Sequence, residues 1–259
     1  MRHIRLVLEY DGSSLHGWQR QANATTVQQH LEESLAKLLA HEVAVTGASR
    51  TDAGVHAHGQ VACFRTERAI PLHGIRRGLN SLLPATIAIR EADEVDERFH
   101  PRFSATGKHY RYTLLVARDR SPRWRERAWF HPEALDRDAM RAAAAHMVGE
   151  HDFAAFRAAG CTARTTTRRI EALELADHPI VGDVLVIDVR GNAFLRNMVR
   201  IIVGTLVEVG RAKRPPAQVV EILASKDRTK AGVTAPPQGL ELVSVQYDGR
   251  RVSPDQHSR

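Results

Sequence analysis

Ile4, Leu6 and Leu8 alternate with Arg5 and Glu9. This is the two-residue period of a half-buried strand, and it stops at the turn-forming run Asp11-Gly12-Ser13-Ser14. The period then becomes helical. Thr26 and Gln29 stand at capping-box spacing, and Val27, Leu31, Leu35, Leu38 and Leu39 recur on one face of the helix they predict. A short strand is predicted around residues 42–46, another at 60–65, a second helix opening at Pro71 and running to about residue 82, and a strand at 87–90. The order β-α-β-β-α-β is that of a ferredoxin-like half-domain, an α+β sandwich with its helices on one face.

The second half repeats these ingredients less regularly. A long strand is predicted at 103–116, then a basic loop, a helix at 136–148 and strands at 168–175 and 184–190. Asn192 is expected to cap a long helix running to Val209, with Gly210 in the left-handed position after it. A short helix near 217–223 and a strand at 240–247 follow. The expected class is therefore α+β, two ferredoxin-like halves (1–103 and 104–248) forming a continuous, mainly antiparallel sheet with a central cleft. The polar residues 249–259 are expected to be a disordered tail.

Composition narrows the function. With 43% hydrophobic residues in a chain of 259, a substantial core can form. No apolar run approaches the roughly 18 residues of a membrane helix, and Glu9 comes too early for a signal peptide, so a cytoplasmic protein is expected. The two cysteines, Cys63 and Cys161, are far apart and suggest neither a disulfide framework nor a zinc ribbon. A formal charge of +7 favours a polyanionic partner. Arg118, Arg120, Arg123, Arg125 and Arg127 crowd beside Trp124 and Trp129, which suits phosphate forks and base stacking; a solvated loop is the alternative.

The segment 47–59 concentrates the candidate chemistry. Three glycines, Asp52 and Arg50 share a loop between two strands, where a carboxylate kept ionised by a nearby cation serves as nucleophile or base. An Asx-type turn with a surface ion pair would leave the same pattern. His56 and His58 form an H-x-H pair that invites a metal-hydrolase reading with Asp52 as third ligand. No second cluster of His, Asp and Glu appears at ligand spacing, so no metal is expected.

At this point the chain resembles the tRNA pseudouridine synthase A family, which modifies uridines 38 to 40 of the anticodon stem. The resemblance runs in order along nearly the whole chain. It begins with Tyr10-Asp11-Gly12, Gly17-Trp18-Gln19-Arg20-Gln21 and Val27-Gln28, and continues through Arg50-Thr51-Asp52-Ala53-Gly54-Val55-His56 and Gly59-Gln60-Val61. It includes Phe103-Ser104-Ala105-Thr106, Tyr110-Arg111-Tyr112, His151-Asp152-Phe153, Asn192-Ala193-Phe194, Met198-Val199-Arg200 and Val203-Gly204. Lys226-Asp227-Arg228-Thr229 and Ala235-Pro236-Pro237 before Gly239-Leu240 complete it. Leu15-His16 and Ala48-Ser49 depart from the family's usual residues.

The resemblance implies that Asp52 is the catalytic aspartate, attacking C1′, attacking C6, or taking the C2′ proton. It implies that Tyr110 stacks on the target base and serves the proton lost from C5, and that Arg50 and Arg200 complete the substrate-binding set. The uridine would be flipped from its stack, and arginines in the segments 118–127, 164–169 and 211–214 would contact phosphates. It further implies a homodimer acting on tRNA, without cofactor or metal. A non-catalytic RNA-binding protein on the same scaffold is the rival reading.

Overall fold

A computed structural model describes residues 1–247 and the backbone of residues 250–252. The first elements are β1 (Arg2–Tyr10), α1 (Val27–Leu39), β2 (Thr46–Gly47), β3 (His56–Thr66), α2 (Leu72–Leu82) and β4 (Ile87–Glu94). Then come β5 (Ala105–Val116), β6 (Trp129–His131), α3 (Arg137–Ala145), β7 (Gly149–Asp152), β8 (Thr167–Asp177) and β9 (Val184–Gly191). The chain continues with α4 (Met198–Gly210), α5 (Gln218–Ser225), β10 (Leu240–Tyr247) and β11 (Arg250–Val252). The class is α+β, and the contacts divide the chain into two compact units, 1–108 with 241–259, and 109–240.

In the first unit the strand order is β4-β1-β3-β10. β1 runs antiparallel to β3, from Arg2↔Thr66 to Tyr10↔Ala57, and antiparallel to β4, from Ile4↔Glu94 to Tyr10↔Ile87. This is the split β-α-β arrangement the element order predicts. Its fourth place differs. β2 is only two residues long and meets β3 at Thr46↔Cys63 and Gly47↔Ala62, so the rest of that β3 edge is open to β10. β10 takes it in parallel, at Glu241↔His56 and Leu242↔Ala57. The last strand therefore groups with the first unit, whereas a division at residue 103 assigns it to the second.

Burial follows from this order. Leu6, Val7 and Leu8 are all fully buried, so the centre of β1 is covered on both faces and the alternation seen in the sequence holds only at its ends. α1 is held at its start by the Thr26 hydroxyl, which accepts from the Gln29 N–H at 3.3 Å. The Gln29 side chain donates to Glu33 rather than back to the cap, so only half of a capping box forms. Val27, Leu31, Leu35 and Leu39 turn inward at helical spacing, each burial contributing about 1.5–3 kcal/mol.

In the second unit the order is β5-β9-β8-β7, with β8 antiparallel to both β9 and β7, and β6 parallel to β5. α3 packs against α4, which is apolar almost all round and buries eleven residues, as a core helix does. Here the sequence expectation needs correction. α4 begins at Met198, not after Asn192; Asn192 instead accepts from the backbone N–H groups of Arg169 and Ala193. Gly210 is the last helical residue, where a side chain would collide with Met140, and the left-handed turn falls on Ala212 at φ 54°.

Cys63 is buried and its thiol is pushed up to about 12 by that burial, while Cys161 is half-buried; both are free. Among the described residues no helix is long and apolar enough to cross a membrane. Of the tail expected at 249–259, Arg250–Val252 pairs antiparallel with β10, and the remainder lies outside the described residues.

Candidate active site

Asp52 sits in the first unit on a turn closed by the Val55 N–H, which donates to the Asp52 carbonyl at 3.2 Å; Gly54 supplies the positive φ of 78°. The turn is tied on both sides to the segment after β1. The Trp18 N–H donates to the Thr51 carbonyl and the Gly54 N–H to the Leu15 carbonyl, each at 3.1 Å. Gly17 makes this approach possible, because its φ is +83° and a Cβ there would lie 2.5 Å from the Thr51 carbonyl oxygen.

Side chains fix the loop from beneath. Gln60, fully buried, accepts from the Ser49 N–H at 3.2 Å and donates to the Ser49 carbonyl at 2.7 Å, acting as a local strand partner for that residue. The Lys108 ammonium donates to the Ala48 carbonyl at 2.9 Å. Tyr10 and Thr51 share a hydrogen bond of 2.8 Å between their buried hydroxyls. The outcome is a half-buried carboxylate on a turn whose neighbours before and after are anchored. In the sequence Gln60 and Tyr10 stand out only as matched residues; Tyr10 meets the loop from 41 residues away and Gln60 from 11, across a turn, and no local pattern carries either contact.

The two histidines have other occupations. The buried His56 Nδ1 accepts from the Gly12 N–H at 3.1 Å, which pins the turn after β1. Asp11 lies 3.3 Å from the same nitrogen, but one nitrogen cannot both accept from Gly12 and donate to Asp11, and the buried backbone N–H is the donor with no alternative. His58 lies 3.9 Å from Glu9, which also meets Arg90. No group of three His, Cys, Asp or Glu side chains suited to a metal occurs among the described residues. Arg50 is exposed and forms no ion pair with any described residue, so the cation expected to steady Asp52 points to solvent instead.

In the second unit, alternation along β5 puts Tyr110 and Tyr112 on one face and His109 and Arg111 on the other. Tyr110 is 7% exposed and meets Phe194 edge to face, ring centres 5.2 Å apart. Tyr112 is fully buried and donates to the Pro236 carbonyl at 2.8 Å. Burial pushes its phenol far above the ordinary value, offset slightly by the charge of Arg200. On the other face, Asp188 accepts from His109 at 2.6 Å and from two nitrogens of Arg111 at 3.0 and 3.1 Å. Burial raises the Asp188 carboxyl, but these charge-assisted bonds outweigh it and leave it below its ordinary value.

Arg200, on the first turn of α4, donates from Nε to the Ala235 carbonyl at 2.7 Å and from Nη1 to Asn197 at 3.3 Å. Its own carbonyl accepts from the Ala235 N–H at 3.1 Å. The basic segments sort themselves. Arg118, Arg120, Arg123, Arg125 and Arg127 are all exposed, as are Arg164 and Arg169. Arg211 is bound by both oxygens of Glu133, and Arg214 is turned inward onto Glu208, so the segment 211–214 is largely engaged within the fold.

The sequence model of the family described as tRNA pseudouridine synthase matches residues 6–104 and 143–248. The chain belongs to the tRNA pseudouridine synthase family. It is 54% identical over 248 residues to the tRNA pseudouridine synthase A of Geobacter sp. (strain M21), covering 95% of this chain and 99% of that protein. It is 49% identical to the protein of the same name from Myxococcus xanthus, covering 95% and 92% respectively. A solved archaeal box H/ACA sRNP Nop10-Cbf5 complex aligns with 79% of this chain and 43% of that one, at 15% identity and a TM-score of 0.36, too distant to support an argument.

Proposed function

We propose that this protein isomerises uridine to pseudouridine at positions 38, 39 and 40 of the tRNA anticodon stem-loop, with Asp52 as the catalytic carboxylate. The observation that carries the assignment is the placement of Asp52, half-buried, on a turn tethered through Thr51, Gly54 and Val55. A carboxylate so held loses little entropy when it meets a reacting atom.

The reaction breaks the C1′–N1 bond, rotates the uracil and joins C1′ to C5, with the C5 proton leaving and N1 gaining one. Composition is unchanged, so the step needs no oxidant, reductant or second substrate. Asp52 acts at C1′, at C6 or on the C2′ proton. Tyr110 offers a ring for the extruded base and a hydroxyl for the C5 proton. Arg50, exposed beside Asp52, and Arg200, fixed on α4, bind the substrate's negative charge. Flipping costs a few kcal/mol, offset by stacking and by phosphate contacts from the exposed arginines. The active form is a cytoplasmic homodimer working without cofactor or metal.

The test is tritium release from tRNA labelled at C5 of uridine, with nucleotide mapping of the product. Wild-type protein is expected to modify positions 38 to 40. Asp52→Asn is expected to bind tRNA and release no tritium, and release at the wild-type rate would overturn the role of Asp52.

A further inference from the structure

Residues 226–239 contain sequence matches that the chemistry above leaves unused, and residues 232–235 among them run along one stripe of α4. Arg200, Gly204, Thr205 and Glu208 follow one another along that stripe at helical spacing. Each meets the segment that returns along the helix. Glu208 Oε1 accepts from the Val233 N–H at 3.1 Å, and the Thr205 hydroxyl accepts from the Gly232 N–H at 2.9 Å while donating to the Ile201 carbonyl at 2.8 Å. Gly204 leaves no room for a side chain against the Val233 carbonyl. Arg200 closes the series with its paired bonds to Ala235.

A second residue locks the arrangement. Arg214 bonds to Glu208 and donates to the Lys230 carbonyl at 2.8 Å, although its Nε is buried without a partner among the described residues. Arg228 braces the segment from within, through Thr234 and the Ala231 carbonyl. Backbone groups of residues 230, 232, 233 and 235 are thus all engaged, more than chain connection alone requires. The far end of this strap is the Ala235 carbonyl that fixes Arg200 Nε, followed at once by the Pro236 carbonyl that receives Tyr112.

We infer that Thr205 and Glu208 are positioning residues for Arg200: they hold the strap 230–236 against α4, and the strap sets the plane of the Arg200 guanidinium. The inference rests on Arg200 being a substrate-binding residue of the proposed isomerase. Neither Thr205 nor Glu208 needs to touch RNA. Thr205 is fully buried, and Glu208 is spent on Arg214 and Val233.

The experiment is a double-mutant cycle on full-length protein, reading kcat/KM for pseudouridine formation in tRNA together with the melting temperature. Thr205→Val keeps the shape and removes the hydroxyl, and is expected to lower kcat/KM about tenfold, as a misplaced binding group does. Thr205→Ser is expected to restore it. In an Arg200→Lys background, expected to keep measurable activity because one positive charge remains, Thr205→Val is expected to add almost nothing, because the guanidinium it orients is gone. Equal proportional losses in both backgrounds, or full activity of Thr205→Val, would overturn the inference. Should Thr205→Val fail to fold, Glu208→Gln, which keeps the acceptor for Val233 and weakens the pair with Arg214, takes its place with the same expectations. Wild-type protein that forms no pseudouridine in tRNA would instead overturn the proposed function beneath it.

Discussion

The Tyr10 hydroxyl lies 2.8 Å from that of Thr51, the residue immediately before Asp52, and both are buried. One end of β1 is thereby bonded to the loop that carries the carboxylate. Gln60 reaches the same tyrosine at 3.4 Å. Tyr10→Phe removes a single oxygen and leaves Thr51 and Gln60 short of a partner, at a cost of about 1 kcal/mol in stability. Activity is expected to fall by more than that loss implies, about tenfold, since the bond restrains the position of Asp52. Urea unfolding and single-turnover rates measured together check it; an unchanged rate would show that Tyr10 only stabilises the fold.

Gly17→Ala is expected to be among the most damaging small substitutions away from Asp52. It imposes a side chain at φ +83° and pushes on the Thr51 carbonyl and the Asp52 backbone. About a hundredfold loss of kcat with a folded protein is expected. Gly182→Ala, which meets nothing within 4 Å, is the matched control and should behave as wild type. Similar activities for the two variants would refute the tether.

Arg50→Ala should act on binding. Its side chain is exposed and unpaired among the described residues, so it is free to meet a phosphate. KM for tRNA is expected to rise with little change in kcat, and the dependence of log affinity on log salt to flatten by about one. A loss confined to kcat would return Arg50 to the role of steadying Asp52.

Asp188 makes stability depend on acid. Its folded carboxyl ionises below the ordinary 3.8, so on acidification the unfolded chain takes up the proton first. The stabilisation is full above the ordinary value and disappears as pH falls through the lower, folded one. Asp188→Asn is expected to cost roughly 2 kcal/mol near neutrality by weakening the bonds from His109 and Arg111. The gap to wild type should be the same at about pH 5 and narrow near pH 3 in urea titrations. A gap independent of pH across that range would exclude the charged network.

The sequence was most informative where one period governs one element. α1 is legible from its leucines, and its start from Thr26, because a cap and an apolar face act within a few residues. β3 begins four residues earlier than expected, since His56, Ala57, His58 and Gly59 look like loop until β10 arrives to pair with His56 and Ala57. The start of α4 differs from expectation for a related reason: Asn192 is a good cap in isolation, but its side chain accepts from the Arg169 N–H on the neighbouring strand. At the site, the residue pattern leaves Asp52 between a catalytic carboxylate and an ordinary turn, and only the family resemblance makes it the candidate. The hydrogen bonds that hold its turn join Tyr10, Leu15 and Trp18 to Thr51 and Gly54, more than thirty residues on, and only folding reveals them.

The pairing of β10 with β3 also has a consequence for synthesis. The first unit cannot complete its sheet until residues 241–247 leave the ribosome, long after its other strands have emerged. At ordinary translation rates that delay is on the order of ten seconds or more, during which the His56–Ala57 stretch presents an unsatisfied strand edge. That edge stays open to other strands until β10 arrives, and a message truncated before codon 241 is expected to yield a product more prone to aggregate than the full chain.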